Sequence, residues 1–245
     1  MAGSAVRIGC AGWSYASAQA GHFGPGDSQL ARYATRFDVV EINSSFYRSH
    51  RRETYARWAA AVPRGFRFSV KLPREVTHDA RLERCGSVLD RFAGEVDGLG
   101  GKLGGLLVQL PPSLAFASRT ASTFFAMLRR RFPEAPAACE PRHASWFAPA
   151  VDALWDRYAI ARVAADPAKI PGADGPGGAG RWHYWRLHGS PRMYYSAYGE
   201  ERLRAYADEL RRVARRGRPA WCIFDNTAHG FSIADAAALQ ALTRS

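Results

Sequence analysis

Val39-Val40-Glu41-Ile42-Asn43 and Phe66-Arg67-Phe68-Ser69-Val70-Lys71 decide how this chain reads, because both alternate with a period of two. Successive side chains of a strand point to opposite faces. Val40 and Ile42 therefore share one face, and Glu41 and Asn43 the other. In the second stretch Phe66, Phe68 and Val70 oppose Arg67, Ser69 and Lys71. Parallel strands covered on both sides usually read as near-continuous apolar runs. These do not, so one of their faces meets something polar.

Similar short runs recur near Val6–Cys10, Gly105–Leu110, Ala137–Glu140, Ala159–Ala164, Tyr184–His188 and Ala220–Asp225. Eight runs in 245 residues give about 31 residues per unit, the size of a strand with its returning helix. The stretches between them carry the helical period. Leu30, Tyr33, Ala34 and Phe37 fall at i, i+3, i+4 and i+7, with Asp27 or Ser28 as a cap. Leu203, Tyr206, Leu210 and Val213 repeat the pattern, and Ser118 is placed to cap a helix burying Phe124, Phe125 and Leu128. The sixth crossover, Pro167 to Gly180, is rich in Gly, Pro and Ala and reads as a loop or a short helix. No linker divides residues 1–245. The expected fold is α/β, a single (β/α)8 TIM barrel. An open doubly wound sheet would require a Gly-rich fingerprint that Gly9-Cys10-Ala11-Gly12 does not supply.

Closing such a barrel turns the apolar faces toward the helices and the polar faces inward. Glu41, Asn43, Lys71, Gln109, Glu140, Arg142, Arg186 and His188 then converge at the C-terminal ends of the strands, where barrel proteins place their sites. Asp225 and Asn226 close the eighth run. The loops that follow are aromatic and basic: Trp13 and Tyr15; Phe46, Tyr47, Arg48, Arg51 and Arg52; His143 and Trp146; Arg192, Tyr194, Tyr195 and Tyr198. The same charges also admit a purely structural reading, in which Glu41 neutralises Lys71 and Glu140 neutralises Arg186.

The formal net charge is +12, and 31 of the 34 basic residues are arginine. That balance favours anionic partners, though base composition and solvated helix faces produce it equally well. Cys10, Cys85, Cys139 and Cys222 form no C-x-x-C pair, and three lie in apolar runs, so neither a disulfide nor a zinc site is expected. No apolar run reaches the ~18–20 residues that span a bilayer, and the first residues lack the pattern of a secretion signal. A cytoplasmic protein without a membrane partner is expected.

Several segments together resemble one family. They are Gly9-Cys10-Ala11-Gly12-Trp13-Ser14-Tyr15, Val40-Glu41-Ile42-Asn43-Ser44-Ser45-Phe46-Tyr47 and Phe68-Ser69-Val70-Lys71 with Thr77-His78. Leu107-Val108-Gln109-Leu110-Pro111-Pro112, Glu140-Pro141-Arg142-His143 with Trp146, and Arg186-Leu187-His188-Gly189 complete the set. In this order they resemble the YecE-like family, domain of unknown function 72. The resemblance implies a TIM barrel and no established activity. It also implies paired asparagines where this chain has Asp225-Asn226.

The residues themselves suggest a pocket for a phosphate-bearing ligand, either a nucleotide or nucleic acid. The expected catalytic groups are Glu41, Lys71, Glu140 and His188. The expected ligand-binding groups are Trp13, Tyr15, Asn43, Tyr47, Gln109, Arg142, His143, Arg186 and Asn226. In this reading His188 moves a proton while the cations hold a phosphoester. Three alternatives stand beside it. One is a nucleic-acid-binding module without turnover. Another is a sugar-active enzyme using Glu41 and Glu140. The third is a divalent metal on His78, His143, His188, Glu41, Glu140 and Asp225, which the lysine and arginines on the same faces oppose. No cofactor is expected, and the oligomeric state is left open.

Overall fold

A computed structural model describes residues 6–180 and 182–244. The reading of the first residues as carrying no secretion signal falls partly on residues 1–5, outside the described residues. Ten strand segments are present: β1 Val6–Ala11, β2 Val39–Ile42, β3 Arg67–Lys71, β4 Leu103–Gln109, β5 Ala137–Glu140, β6 Ile160–Arg162, β7 Ala164–Asp166, β8 Gly177–Gly178, β9 His183–Leu187 and β10 Ala220–Phe224. They pair in the order β7-β9-β10-β1-β2-β3-β4-β5-β6-β8, and every pair is parallel except β6 with β8.

The ring is completed by an interruption. Only Val163 separates β6 from β7, yet β6 pairs with β5 while β7 pairs with β9. The Val163 N–H still donates to the Cys139 carbonyl at 2.8 Å. One broken strand thus joins both ends of the sheet, and the expected regular eightfold alternation is modified at this point.

Helices α1 Gln29–Tyr33, α2 Arg52–Ala60, α3 Gly86–Val96, α4 Ser118–Arg131, α5 Asp152–Tyr158, α6 Glu200–Arg215 and α7 Phe231–Arg244 follow the other strands. No helix lies between β7 and β9 among the described residues. That crossover is a loop that folds back on the rim, its Ala173 carbonyl accepting from Ala165 N–H at 2.7 Å. No helix of the described residues is long and apolar enough to cross a membrane.

Two helix expectations change. Ser28 does cap α1, accepting from Ala31 N–H at 3.1 Å, but the helix stops at Tyr33 although the apolar period runs on to Phe37. Beyond it the chain passes through turns in which Thr35 N–H donates to Arg32 O, and Arg36 and Phe37 N–H to Tyr33 O, before β2 begins. The Tyr33 hydroxyl accepts from Cys10 N–H at 2.8 Å and donates to the Val39 carbonyl at 2.9 Å, tying this end to β1 and β2. Ser118 is the first residue inside α4 rather than its cap, and Ala117 before it offers no side-chain bond.

Alternation sorts the core into two. Residues of one parity, including Cys10, Ile42, Phe68, Val108, Trp185 and Phe224, pack outward on the helices. Those of the other parity, Val39, Leu107, Tyr184 and Ile223, fill the barrel above Trp182 and Trp221. All four cysteines are buried free thiols, and burial pushes the Cys10 thiol up to about 12.

Two glycines make room for the tryptophans. A Cβ on Gly105 would sit 2.5 Å from Trp182 Cη2, and one on Gly104 equally close to Trp221 Cη2. Gly105→Ala is therefore expected to destabilise the protein by about 1–3 kcal/mol, the usual cost of overpacking. A urea titration of G105A checks it, and adding Trp182→Phe should recover part of the loss.

Candidate functional site

The inward parity of β2, β3, β5, β9 and the end of β10 brings five charged side chains to one level of the barrel. Arg186 is at their centre and has no exposed surface. Its Nε and Nη2 donate to Glu41 Oε2 and Oε1 at 3.1 and 2.8 Å. Nη1 donates to Glu140 Oε2 at 2.5 Å, and Nη2 also to Asp225 Oδ2 at 2.8 Å. One planar guanidinium thus serves three carboxylates, a use that its rigid fork of donors suits. Burial alone would lower the basicity of Arg186, but Glu41, Glu140 and Asp225 raise it well above the ordinary value.

The expected pairing of Glu41 with Lys71 is not what forms. Glu41 spends both oxygens on Arg186 and accepts a further bond from the Tyr184 hydroxyl at 2.8 Å, and Ser69 Oγ lies 3.0 Å from that hydroxyl. Glu140 pairs with Arg186 as expected and also accepts from Arg142 Nε at 2.9 Å and Gln109 Nε2 at 3.4 Å. Burial would raise the Glu140 carboxyl, but Arg142, Arg186 and His188 hold it well below the usual carboxylate range.

His188 sits beside two of these carboxylates. Its Nδ1 is 3.1 Å from Asp225 Oδ2. Its Nε2 lies 3.3 Å from Glu140 Oε1, out of line for a hydrogen bond, and is a buried atom without a hydrogen-bond partner. Burial would lower the imidazole, but Glu140 and Asp225 raise it above its ordinary value. Tyr194, with φ +70°, sets its ring edge-on to His188 at 5.6 Å between centroids. Its backbone N–H bonds the His188 carbonyl, and its phenol reaches Arg142.

Lys71 differs from every other charge here. It is 5% exposed, its Nζ sits 4.0 Å from the centre of the Phe46 ring, and it enters no ion pair among the described residues. Burial and the Arg186 charge push it down to about 8. Beside it, burial and the charges of Lys71, Arg74 and Arg142 lower His78.

A cavity of about 90 Å³ opens at this level, bordered by Glu140, Arg142, His188, by Lys169 and Ile170 from the sixth crossover, and by Met193 from the loop after β9. Among the described residues no three His, Cys, Asp or Glu side chains are placed to hold a metal together. The carboxylate oxygens that could do so already accept from the guanidiniums.

Other sequence-predicted residues lie elsewhere. Asn43 precedes the short turn of helix at Ser44–Phe46, with its buried Oδ1 unpartnered. Tyr47 is 74% exposed on the rim. Trp13 packs edge-on against Trp58, and Tyr15 against Phe23. His143 caps a short helix by accepting from Ser145 N–H at 3.2 Å. Asn226 turns away from Arg186, donating to Ser196 O at 3.0 Å and Asp235 Oδ2 at 2.7 Å. Its parity is that of Phe224 and Cys222, the outward face, so alternation already excluded it from the inner level. Trp146 and Tyr198, counted among the rim aromatics, are buried packing residues. The same parity could have found Tyr184 and Ser69. Nothing local in the sequence pointed to Lys169.

Comparison with known proteins agrees with this architecture. The family model described as "Protein of unknown function DUF72" matches residues 7–245. The chain belongs to the DUF72 family. The UPF0759 protein YecE of Escherichia coli K12 is 29% identical over 123 residues, half of this chain and 44% of that protein. The UPF0759 protein YunF of Bacillus subtilis 168 is 24% identical over 150 residues, 59% of this chain and 53% of that one. The chain thus spans about half the length of the curated relatives it matches. Two solved DUF72 structures share the fold. The one from Thermotoga maritima MSB8 has a TM-score of 0.81 at 22% identity, covering 98% of this chain and 99% of its own. The one from Enterococcus faecalis V583 has a TM-score of 0.81 at 20% identity, covering 98% and 96%.

Proposed function

We propose that this DUF72 barrel binds a phosphate-bearing ligand, a nucleotide or a nucleic-acid strand, at the C-terminal mouth and hydrolyses a phosphoester there. The observation that carries the reading is Lys71, a nearly buried ammonium at the C-terminal end of β3 with no carboxylate partner, at the same end of the barrel as the Arg142 and His188 cavity. Buried cations are ordinarily paired, and the unmet demand here suits an incoming anion. Lys71 and Arg142 would hold non-bridging oxygens. Water would attack phosphorus as the ester P–O bond breaks. The leaving oxygen would take the proton from His188 Nε2, and the attacking water's proton would return to the imidazole. Glu41, Glu140, Asp225 and Arg186 would position these groups rather than touch the ligand.

The test is calorimetric titration with inorganic phosphate, adenosine monophosphate and a short single-stranded oligonucleotide over a salt series, with product analysis in parallel. Salt-sensitive binding with phosphoester cleavage supports the proposal, and the absence of binding to all three at low salt rejects it. A second reading, a binding module without turnover, is favoured by exposed Tyr47 and by Arg192 lying 4.5 Å over the Tyr195 ring. Such surfaces suit stacked bases. Binding without product selects it.

A pH dependence follows. Lys71 is held near about 8, below its ordinary value, and His188 is raised above its own. Both are cationic at low pH and lose that charge as pH rises, Lys71 on passing about 8. Affinity for sulfate, whose charge is constant over this range, is expected to be highest below neutrality and to fall through pH 8. A flat titration from pH 6 to 10 would contradict the role of Lys71.

A further inference from the structure

A cavity larger than the one at the mouth is at the other end of the barrel. It measures about 720 Å³ and opens below Trp182 and Trp221 at the N-terminal ends of the strands. That volume is in the range of small-molecule sites, whereas this face of a barrel ordinarily serves stability. Its floor is the pair of indoles, edge to face at 5.1 Å and 87°, seated on Gly104 and Gly105. Both rings are largely buried, yet neither indole N–H has a hydrogen-bond partner or is sealed from solvent among the described residues. The floor therefore offers flat apolar surface and two unused donors.

The walls carry four arginines and one glutamate, Glu134. Arg7 is neutralised by Asp38 at 2.7 Å, and Arg129 is occupied by the carbonyls of Tyr158, Ala135 and Ala159, with Glu134 nearby. Arg67 uses only Nη1, on the carbonyls of Arg64 and Phe66. Arg157 lies over the Tyr158 ring at 5.4 Å and enters no ion pair among the described residues. Two guanidiniums are thus left with donors to spare above an aromatic floor.

We infer that this N-terminal cavity is a second binding site, taking a flat aromatic ring that carries an anionic group. The ring would pack on Trp182 and Trp221, and its anion would face Arg67 and Arg157. The shared chemistry is that of a nucleotide base with its phosphate or of an aromatic carboxylic acid. This site is independent of the C-terminal mouth.

The probe is 1-anilinonaphthalene-8-sulfonate, followed by energy transfer from tryptophan at constant ionic strength. Arg157→Glu should weaken its binding about fivefold, and Glu134→Lys should tighten it by a similar factor, as expected for exposed charges near a bound anion. Circular dichroism checks that both variants, at exposed positions, remain folded. Lys71→Met should leave the probe unaffected, which separates this site from the one proposed above. Displacement by adenosine monophosphate assigns a nucleotide, and displacement by 4-hydroxybenzoate an aromatic acid. Displacement by neither, or affinities within twofold of the parent in both charge variants, would overturn the inference.

Discussion

Arg186→Leu is expected to leave the barrel unfolded or barely stable at neutral pH, with a loss exceeding about 5 kcal/mol. Removing one partner of a buried ion pair typically costs about 3–5 kcal/mol, because the other charge stays buried without compensation. Here one guanidinium compensates Glu41, Glu140 and Asp225 together. The loss approaches the roughly 5–15 kcal/mol by which domains are stable at all. Urea denaturation followed by circular dichroism measures it. The R186L variant should regain part of its stability when Glu41→Gln, Glu140→Gln and Asp225→Asn are added, since the three buried carboxylates no longer carry uncompensated charge, while Arg142 loses its Glu140 partner. A melting temperature within a few degrees of the parent would show that the three carboxylates are not held by Arg186.

The pH dependence of that variant should also weaken. In the parent, Glu140 and Asp225 are held below their ordinary values of 4.5 and 3.8. Their contribution is fully present above those values and disappears as pH falls through the lower folded ones. Without Arg186, both carboxyls lose one of the charges that lower them, so R186L should lose less stability on acidification than the parent.

The second large effect concerns affinity. Lys71→Met is expected to weaken sulfate and phosphate binding by about 10–100-fold, the worth of a charge-assisted hydrogen bond of about 1.5–3 kcal/mol. Met preserves the unbranched stem and its contact with Phe46, and it removes a desolvated ammonium that no carboxylate pairs at close range. Stability should therefore stay level or rise while binding falls. Unchanged sulfate affinity in a folded K71M protein would exclude Lys71 as an anion ligand. A fall in both properties together would mark it as structural.

The arginine-centred cluster clarifies why both readings of the inner charges arose. Glu41, Glu140, Asp225 and Arg186 satisfy one another and build the level. Lys71, Arg142 and His188 border it with capacity left over. The departure at Asp225 from the paired asparagines of the resemblance matters here, because its carboxylate bridges Arg186 and His188.

Much of this was readable from alternation alone. A period of two assigns each strand residue to one of two faces, and closure leaves a single place for a polar face to go. Glu41, Lys71, Glu140, Arg186 and His188 were legible for that reason, and so was the outward parity of Asn226. Alternation carries no information about partners across the barrel. That Glu41 binds Arg186 instead of Lys71 depends on strand stagger and side-chain reach. The broken strand at Val163, the tie from the Tyr33 hydroxyl to β1 and the return of Lys169 to the mouth likewise rest on contacts between residues far apart in the chain. Local periodicity determined which side chains face inward. Only the closed tertiary structure decided which of those charges cancel and which remain free, because burial makes charge pairing a property of the whole ring.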